Sequence, residues 1–179
     1  MAVTLIVEDG SVVVDANTFL DLADARDMIE ELGFVLSTDD DEAAAQLTQG
    51  FYLLKRVYCG RLKGEPVSCM QEGIFPREGV YMCGELYPSD EIPKDVKRAQ
   101  LAYASAIQSG VDFNAIGPTQ QVKKEKLDGV GEVEYMDGSK FDTVPNVTPA
   151  HQYLCKFLSS GAMRIQRDDY FMDYSDGVI

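Results

Sequence analysis

Four stretches of this chain repeat apolar residues at spacings of three and four, each with helix start or stop signals at its ends. No other feature constrains the fold as strongly, because a helix of this kind must bury one stripe against a partner. In the first, Asp21 is placed as a cap with Asp24 three residues on, and Gly33 is the stop. Leu22, Ala25, Ile29 and Leu32 fall on one face between them. The second starts near Asp39 to Asp41, with Glu42 at the positive end of the helix dipole. Its stripe is Ala44, Leu47, Phe51, Leu54 and Tyr58, and Gly50 should weaken it by about 1 kcal/mol relative to alanine. The third opens at Pro93 and ends at Gly110. Val96, Ala99, Tyr103, Ala106 and Gly110 line up, flanked by Ala102 and Ile107, and the small residues permit close helix approach. The fourth has Thr148 as cap, Pro149 in the first position, and Gly161 as stop. Its stripe is Ala150, Tyr153, Leu154, Phe157 and Leu158.

The connecting segments carry other signals. Val3 to Val7 and Val12 to Val14 read as short extended stretches around a turn at Glu8-Asp9-Gly10-Ser11, a terminal hairpin or arm. Residues 60–88 are studded with glycine and proline and read as one long loop. Val67, Met70, Ile74, Phe75, Val80, Tyr81, Met82, Leu86 and Tyr87 make it too apolar for a solvated linker, so it must pack on the helices or on another chain. Residues 121–136 change to an alternating period about Asp128-Gly129-Val130-Gly131, the pattern of a β-hairpin. One strand carries Lys123, Lys124 and Lys126 and the other Glu132 and Glu134, which suits cross-strand pairing. Residues 162–179 are short, aromatic and acidic, and cannot fold alone. The expected fold is mainly α: a small four-helix bundle over residues 1–161 with a projecting β-hairpin, a long loop and extended terminal arms, then a C-terminal arm over 162–179.

The net charge of −14 repels polyphosphates and argues against a general nucleic-acid binder, which needs a basic face. Arg61, Lys63, Lys94, Lys97, Arg98, Lys123, Lys124, Lys126, Arg164 and Arg167 are spread along the chain among acids and read as solvated surface. No apolar run approaches the roughly 20 residues of a membrane span. Glu8 and Asp9 interrupt the first apolar run, so no secretory leader is expected, and the four cysteines are expected as free thiols. Cys59, Cys69, Cys83 and Cys155 lack zinc-ligand spacing, and Asp39-Asp40-Asp41-Glu42 lacks the alternation and glycine of a calcium loop. The sole histidine, His151, has no serine or cysteine motif beside it, and no phosphate-cradling glycine motif occurs. No catalytic residue, metal site or cofactor is expected, and the chain reads as a non-enzyme.

Several short motifs, in order, resemble a known family. Leu5-Ile6-Val7-Glu8-Asp9-Gly10-Ser11, Asp15-Ala16-Asn17-Thr18-Phe19 and Leu22-Ala23-Asp24-Ala25 resemble the "EDGSG", "ANSY" and "SLAEAD" opening of small tailed-phage proteins. Phe75-Pro76-Arg77-Glu78-Gly79-Val80 resembles "WPRxGV", with Phe75 in the tryptophan position. Ile92-Pro93 followed by Val96-Lys97-Arg98-Ala99 resembles "IPxxVKRA". Val122-Lys123-Lys124-Glu125-Lys126 and Val133-Glu134-Tyr135 resemble the "VKxEKVGxVEVEY" hairpin. The order holds over roughly residues 3–158, fits poorly from Cys59 to Met70, and has no counterpart after Gly161.

This is similar to the head-to-tail adaptor (connector) family of tailed bacteriophages, whose members also circulate under the label of a DnaT-like single-stranded-DNA-binding protein. The resemblance implies a structural virion protein of the neck, assembled in the host cytoplasm, and a homo-oligomeric ring of about twelve copies. The ring would sit between the portal protein and a downstream neck or tail protein. DNA would pass only through a non-specific conduit, and no membrane is involved. Tyr170, Phe171 and Tyr174 are the expected portal-contact anchors, and Lys123, Lys124 and Lys126 the expected hairpin contact. The alternative is a phage-encoded single-stranded-DNA-binding replication protein, which needs aromatics beside a basic groove. Tyr81 and Tyr87 near Arg61, Lys63 and Arg77 are its candidates.

Overall fold

A computed structural model describes residues 3–113 and 147–159, together with the backbone of two short strands at 122–124 and 134–135. Four helices are its longest elements: α1 (Leu22–Leu32), α2 (Asp40–Tyr58), α3 (Lys94–Gln108) and α4 (Thr148–Leu154). Three two-stranded antiparallel ladders accompany them: β1 (Glu65–Pro66) with β2 (Arg77–Glu78), β3 (Tyr81–Met82) with β4 (Glu85–Leu86), and β5 (Val122–Lys124) with β6 (Glu134–Tyr135). The mainly helical expectation holds in this form, and the hairpin within 121–136 is present as β5–β6.

The first two caps are where the sequence places them. Asp21 accepts the Asp24 amide, and Gly33 closes α1 in the left-handed region at φ 69°. Asp39 accepts the Glu42 amide at the start of α2, so the acidic run 39–42 acts as a helix start. The fourth helix differs from the expectation. Thr148 is its first residue, with Val147 before it offering no side-chain cap. The helix ends at Leu154 and passes into a 3-10 turn over Cys155–Phe157, because Leu158 leaves to form an antiparallel bridge with Leu62. Gly161, the expected stop, lies outside the described residues.

At the centre of the fold, α2 lies against α3 at Gly50. A Cβ on Gly50 would stand 2.9 Å from the Gln100 carbonyl oxygen and 3.3 Å from the Ala104 amide nitrogen. The glycine therefore does not merely weaken α2, as helix propensity suggests; it lets two backbones touch. The third helix is correspondingly more buried than its small-residue stripe implies: Ala99 to Ser105 are all buried, and Gly110, counted in the stripe, is exposed. Gln100 is fully buried within that run. Its Oε1 accepts the Phe19 amide at 2.9 Å, and its Nε2 donates to Thr18 Oγ1 at 2.9 Å and to the Leu47 carbonyl at 2.8 Å. One side chain thus ties the N-terminal segment, α2 and α3 together.

The apolar core forms two joined clusters. The larger holds Phe19, Phe51, Tyr58, Phe75, Tyr103 and Phe157 at the meeting of α2, α3, α4 and the 60–88 segment. The smaller, with Leu20, Ala25, Leu47 and Leu101, seats α1. Burial raises the Tyr58 phenol above the ordinary tyrosine range and pushes Tyr103 well above it, and each hydroxyl lies against the other.

Two connecting segments correct the sequence expectation. Of the two alternatives, hairpin or arm, the hairpin is not formed: 3–7 does not pair with 12–14, and Val7 pairs at home through a parallel bridge with Thr18. The reason is Glu8, a fully buried carboxylate that accepts the amides of Gly10, Val12 and Val13 at 2.9–3.1 Å. These bonds wrap the chain around the carboxylate and hold Val12 at φ 61°, where a β-branched residue is strained. The 60–88 segment is not one irregular loop. It folds into β1–β2 and β3–β4, and it buries Ile74, Phe75 and Val80 against the helices. The expectation that it packs on the helices holds for these three and for the half-buried Met82 and Tyr87, whereas Val67, Met70, Tyr81 and Leu86 stay exposed.

Gly50→Ala is expected to destabilise the chain by about 1–2 kcal/mol, overpacking at the α2–α3 contact outweighing the gain in helix propensity. Urea unfolding followed by far-UV circular dichroism measures it; a rise in stability of about 1 kcal/mol would mean that the contact yields.

Candidate functional site

Beside β1–β2 and β3–β4 lies an open groove of about 740 Å³, lined by Gly64, Glu65, Glu78, Gly79, Tyr81, Leu86, Tyr87, Pro88, Ser89 and Asp90. Local sequence builds it. Gly64 (φ 67°) turns against the Glu78 carbonyl, where a Cβ would stand 2.2 Å from the oxygen. Gly79 (φ 70°) and Gly84 (φ 90°) turn the chain between and within the ladders. Gly10 closes on the Asp90 carbonyl at one end, so the N-terminal segment braces the groove. Tyr81 and Leu86 are cross-strand partners, 61% and 60% exposed, and form an apolar platform.

The structure brings the candidate tyrosines together with carboxylates rather than with cations. Glu65, Glu78 and Asp90 line the same groove as Tyr81 and Tyr87. Burial, then the negative charges of Glu91 and Asp95, push the Tyr87 phenol up. Arg77 is 7% exposed and faces the interior. Its Nε donates to the Lys63 carbonyl at 2.8 Å and its Nη2 to the Gly64 carbonyl at 2.6 Å, while Nη1 reaches the Ile74 carbonyl at 3.5 Å. Burial lowers the guanidinium's ordinary pKa, and Glu65 opposes that shift. Arg77 therefore knits the loop and is not offered to a phosphate. Lys63 donates its Nζ to the Lys156 carbonyl at 2.7 Å. Arg61 is exposed but does not line the groove.

A second groove, about 410 Å³, escaped the sequence reading. Gln49, Tyr52, Leu53 and Arg56 of α2 line it with Ile107, Val111, Asp112 and Phe113. Tyr52 and Arg56 stand one helical turn apart, and both are exposed. The signal was available: they sit at i and i+4 on the face of α2 opposite to its apolar stripe.

Among the described residues, no group of three or more histidine, cysteine or acidic side chains could hold a metal ion. All four cysteines are free and exposed. His151 stacks on Tyr58 with ring centroids 6.4 Å apart, a packing role. No helix among the described residues is long and apolar enough to cross a membrane. Of the expected contact residues, Tyr170, Phe171, Tyr174 and Lys126 lie outside the described residues, and Lys123 and Lys124 are placed only as backbone of β5.

A family match spans residues 3–168. The chain belongs to the family described as "Putative DnaT-like ssDNA binding protein". No curated protein and no solved structure matches the chain. The DnaT-like match reaches beyond residue 158, where the resemblance in short motifs stops. Its description names single-stranded DNA and not an adaptor, so it speaks for the DNA-binding alternative more directly than for the head-to-tail reading.

Arg77→Ala is expected to lower stability by about 3 kcal/mol, since it leaves the carbonyls of Lys63, Gly64 and Ile74 without their charged donor. Arg77→Lys should recover little, because an ammonium cannot reproduce the fork. Thermal unfolding of both variants checks this. An unchanged melting temperature would return Arg77 to the list of ligand-facing residues.

Proposed function

We propose that the chain is a structural assembly subunit that works beside DNA without gripping it: the head-to-tail adaptor of a tailed phage, and not an enzyme. The observation that carries this reading is the electrostatic character of the surface. The chain holds 30 acidic against 16 basic side chains. The larger groove, where both candidate tyrosines stand, is rimmed by Glu65, Glu78 and Asp90 while its nearest arginine is spent on backbone carbonyls. A protein that binds nucleic acid by displacing counterions needs the opposite. A conduit for DNA is served by a wall that repels phosphates. The exposed apolar side chains of Val67, Met70, Tyr81 and Leu86 suit contact with neighbouring subunits. The collinear motifs from Leu5 to Tyr135 supply the adaptor resemblance. Under this reading the partners are further copies of the chain, the portal protein and a downstream neck component.

The second reading, a single-stranded-DNA-binding protein, draws on two observations. One is the family description over residues 3–168. The other is the Tyr52–Arg56 groove, which pairs a stacking ring with a cation on α2.

Titration of the full chain against a fluorescent oligothymidine separates the two. The adaptor reading expects no saturable anisotropy change below roughly 0.1 mM protein at about 0.15 M salt. Micromolar binding that weakens with salt, and that Tyr52→Ala and Arg56→Ala each reduce about tenfold, would establish the DNA-binding reading instead.

A further inference from the structure

The larger groove carries an electrostatic fault. Glu65 and Glu78 are direct partners across the β1–β2 ladder, and both are exposed. Like charges placed opposite each other destabilise a strand pair. Among the described residues, no ion pair reaches Glu65, Glu78 or Asp90. Arg77, next to Glu78 in the ladder, extends into the interior. The groove thus presents three carboxylates, of which Glu65 feels the charge of the buried Arg77, beside an exposed tyrosine, an exposed leucine and a half-buried tyrosine. That is the chemistry of a lysine-bearing strand: ammonium groups settle between carboxylates, and their alkyl stems lie along the rings.

The densest run of positive charge in the chain is Lys123, Lys124 and Lys126. Lys123 and Lys124 belong to β5, already paired to β6, where Lys124 stands opposite Glu134 and Lys123 has no such acidic partner in the register. We propose that the groove formed by Glu65, Glu78, Asp90, Tyr81 and Leu86 receives the lysine-bearing segment, β5 with Lys126 after it in sequence, of a second copy of this chain. Groove and lysine segment are different parts of the sequence, so the contact repeated head to tail is heterologous, and where its rotation closes it gives a ring. It deepens the assembly reading on which it rests by naming its subunit-to-subunit contact.

The test places the photo-crosslinking residue benzoylphenylalanine at position 81 of the full chain. Irradiation at roughly millimolar concentration populates even a weak contact. The expected product is a crosslinked dimer whose junction peptide, read by mass spectrometry, falls within residues 121–136. Glu65→Lys with Glu78→Lys should cut dimer yield about tenfold, and adding Lys123→Glu with Lys124→Glu should restore it. A crosslink confined to one chain, a dimer joined through any other segment, or no dimer at all overturns the proposal. None of these outcomes touches the assembly reading, which is judged separately by whether the protein is present in virions. Because the crosslink in the chain with native charges decides alone, a misfolded charge variant cannot mask the result.

Discussion

The fold depends on a single close approach, the contact of α2 with α3 at Gly50. With no side chain at that position the Gln100 backbone reaches α2, and the Gln100 side chain is then placed to bond Phe19, Thr18 and Leu47 at once. A buried amide is tolerable only when its hydrogen bonds are made, and here both ends are occupied. Once α2, α3 and the N-terminal segment are fixed, the aromatic core can close. Phe19 meets Phe51 at 4.7 Å between ring centroids, and Phe75 meets Phe157 at 5.4 Å. The second of these contacts holds the 60–88 segment on the bundle and so positions the larger groove.

Polar side chains organise the irregular parts in the same way. Glu8 gathers three amides, Arg77 reaches three carbonyls, and Gln71 donates to the carbonyls of Gly73 and Pro76. Each satisfies backbone groups that neither a helix nor a ladder pairs. The surface ion pairs matter less. Arg26–Asp40 and Lys55–Glu72 are largely solvated, and such pairs contribute little to stability. Lys156 with Asp95, and Arg98 with Asp95 and Glu31, link α1, α3 and the turn after α4 at the rim of the core.

Helix periodicity and capping chemistry are local signals, and they were legible: Asp21, Gly33 and Asp39 stand where the sequence puts them. Long-range pairings were not. Nothing near Gln100 in sequence announces that its amide bonds residues 82 and 53 positions away. Arg77 read as a candidate cation because its partners, the carbonyls of Lys63 and Gly64, are indistinguishable from any others in sequence. Leu158 read as a helix residue because its bridge to Leu62 is tertiary. For the candidate site, Tyr81 and Tyr87 were singled out, but not that they share a groove with Glu65, Glu78 and Asp90 rather than with cations. Tyr52 and Arg56 were within reach as an i, i+4 pair on a solvent face.

The central claim is that this DnaT-like family member builds part of a particle. Quantitative mass spectrometry of purified virions, with the portal subunit as internal reference, tests it most directly. The account predicts a ratio to portal near one to one, as stacked rings of matching order require. Absence from virions with abundance in infected-cell lysate would contradict it and leave single-stranded-DNA binding as the function.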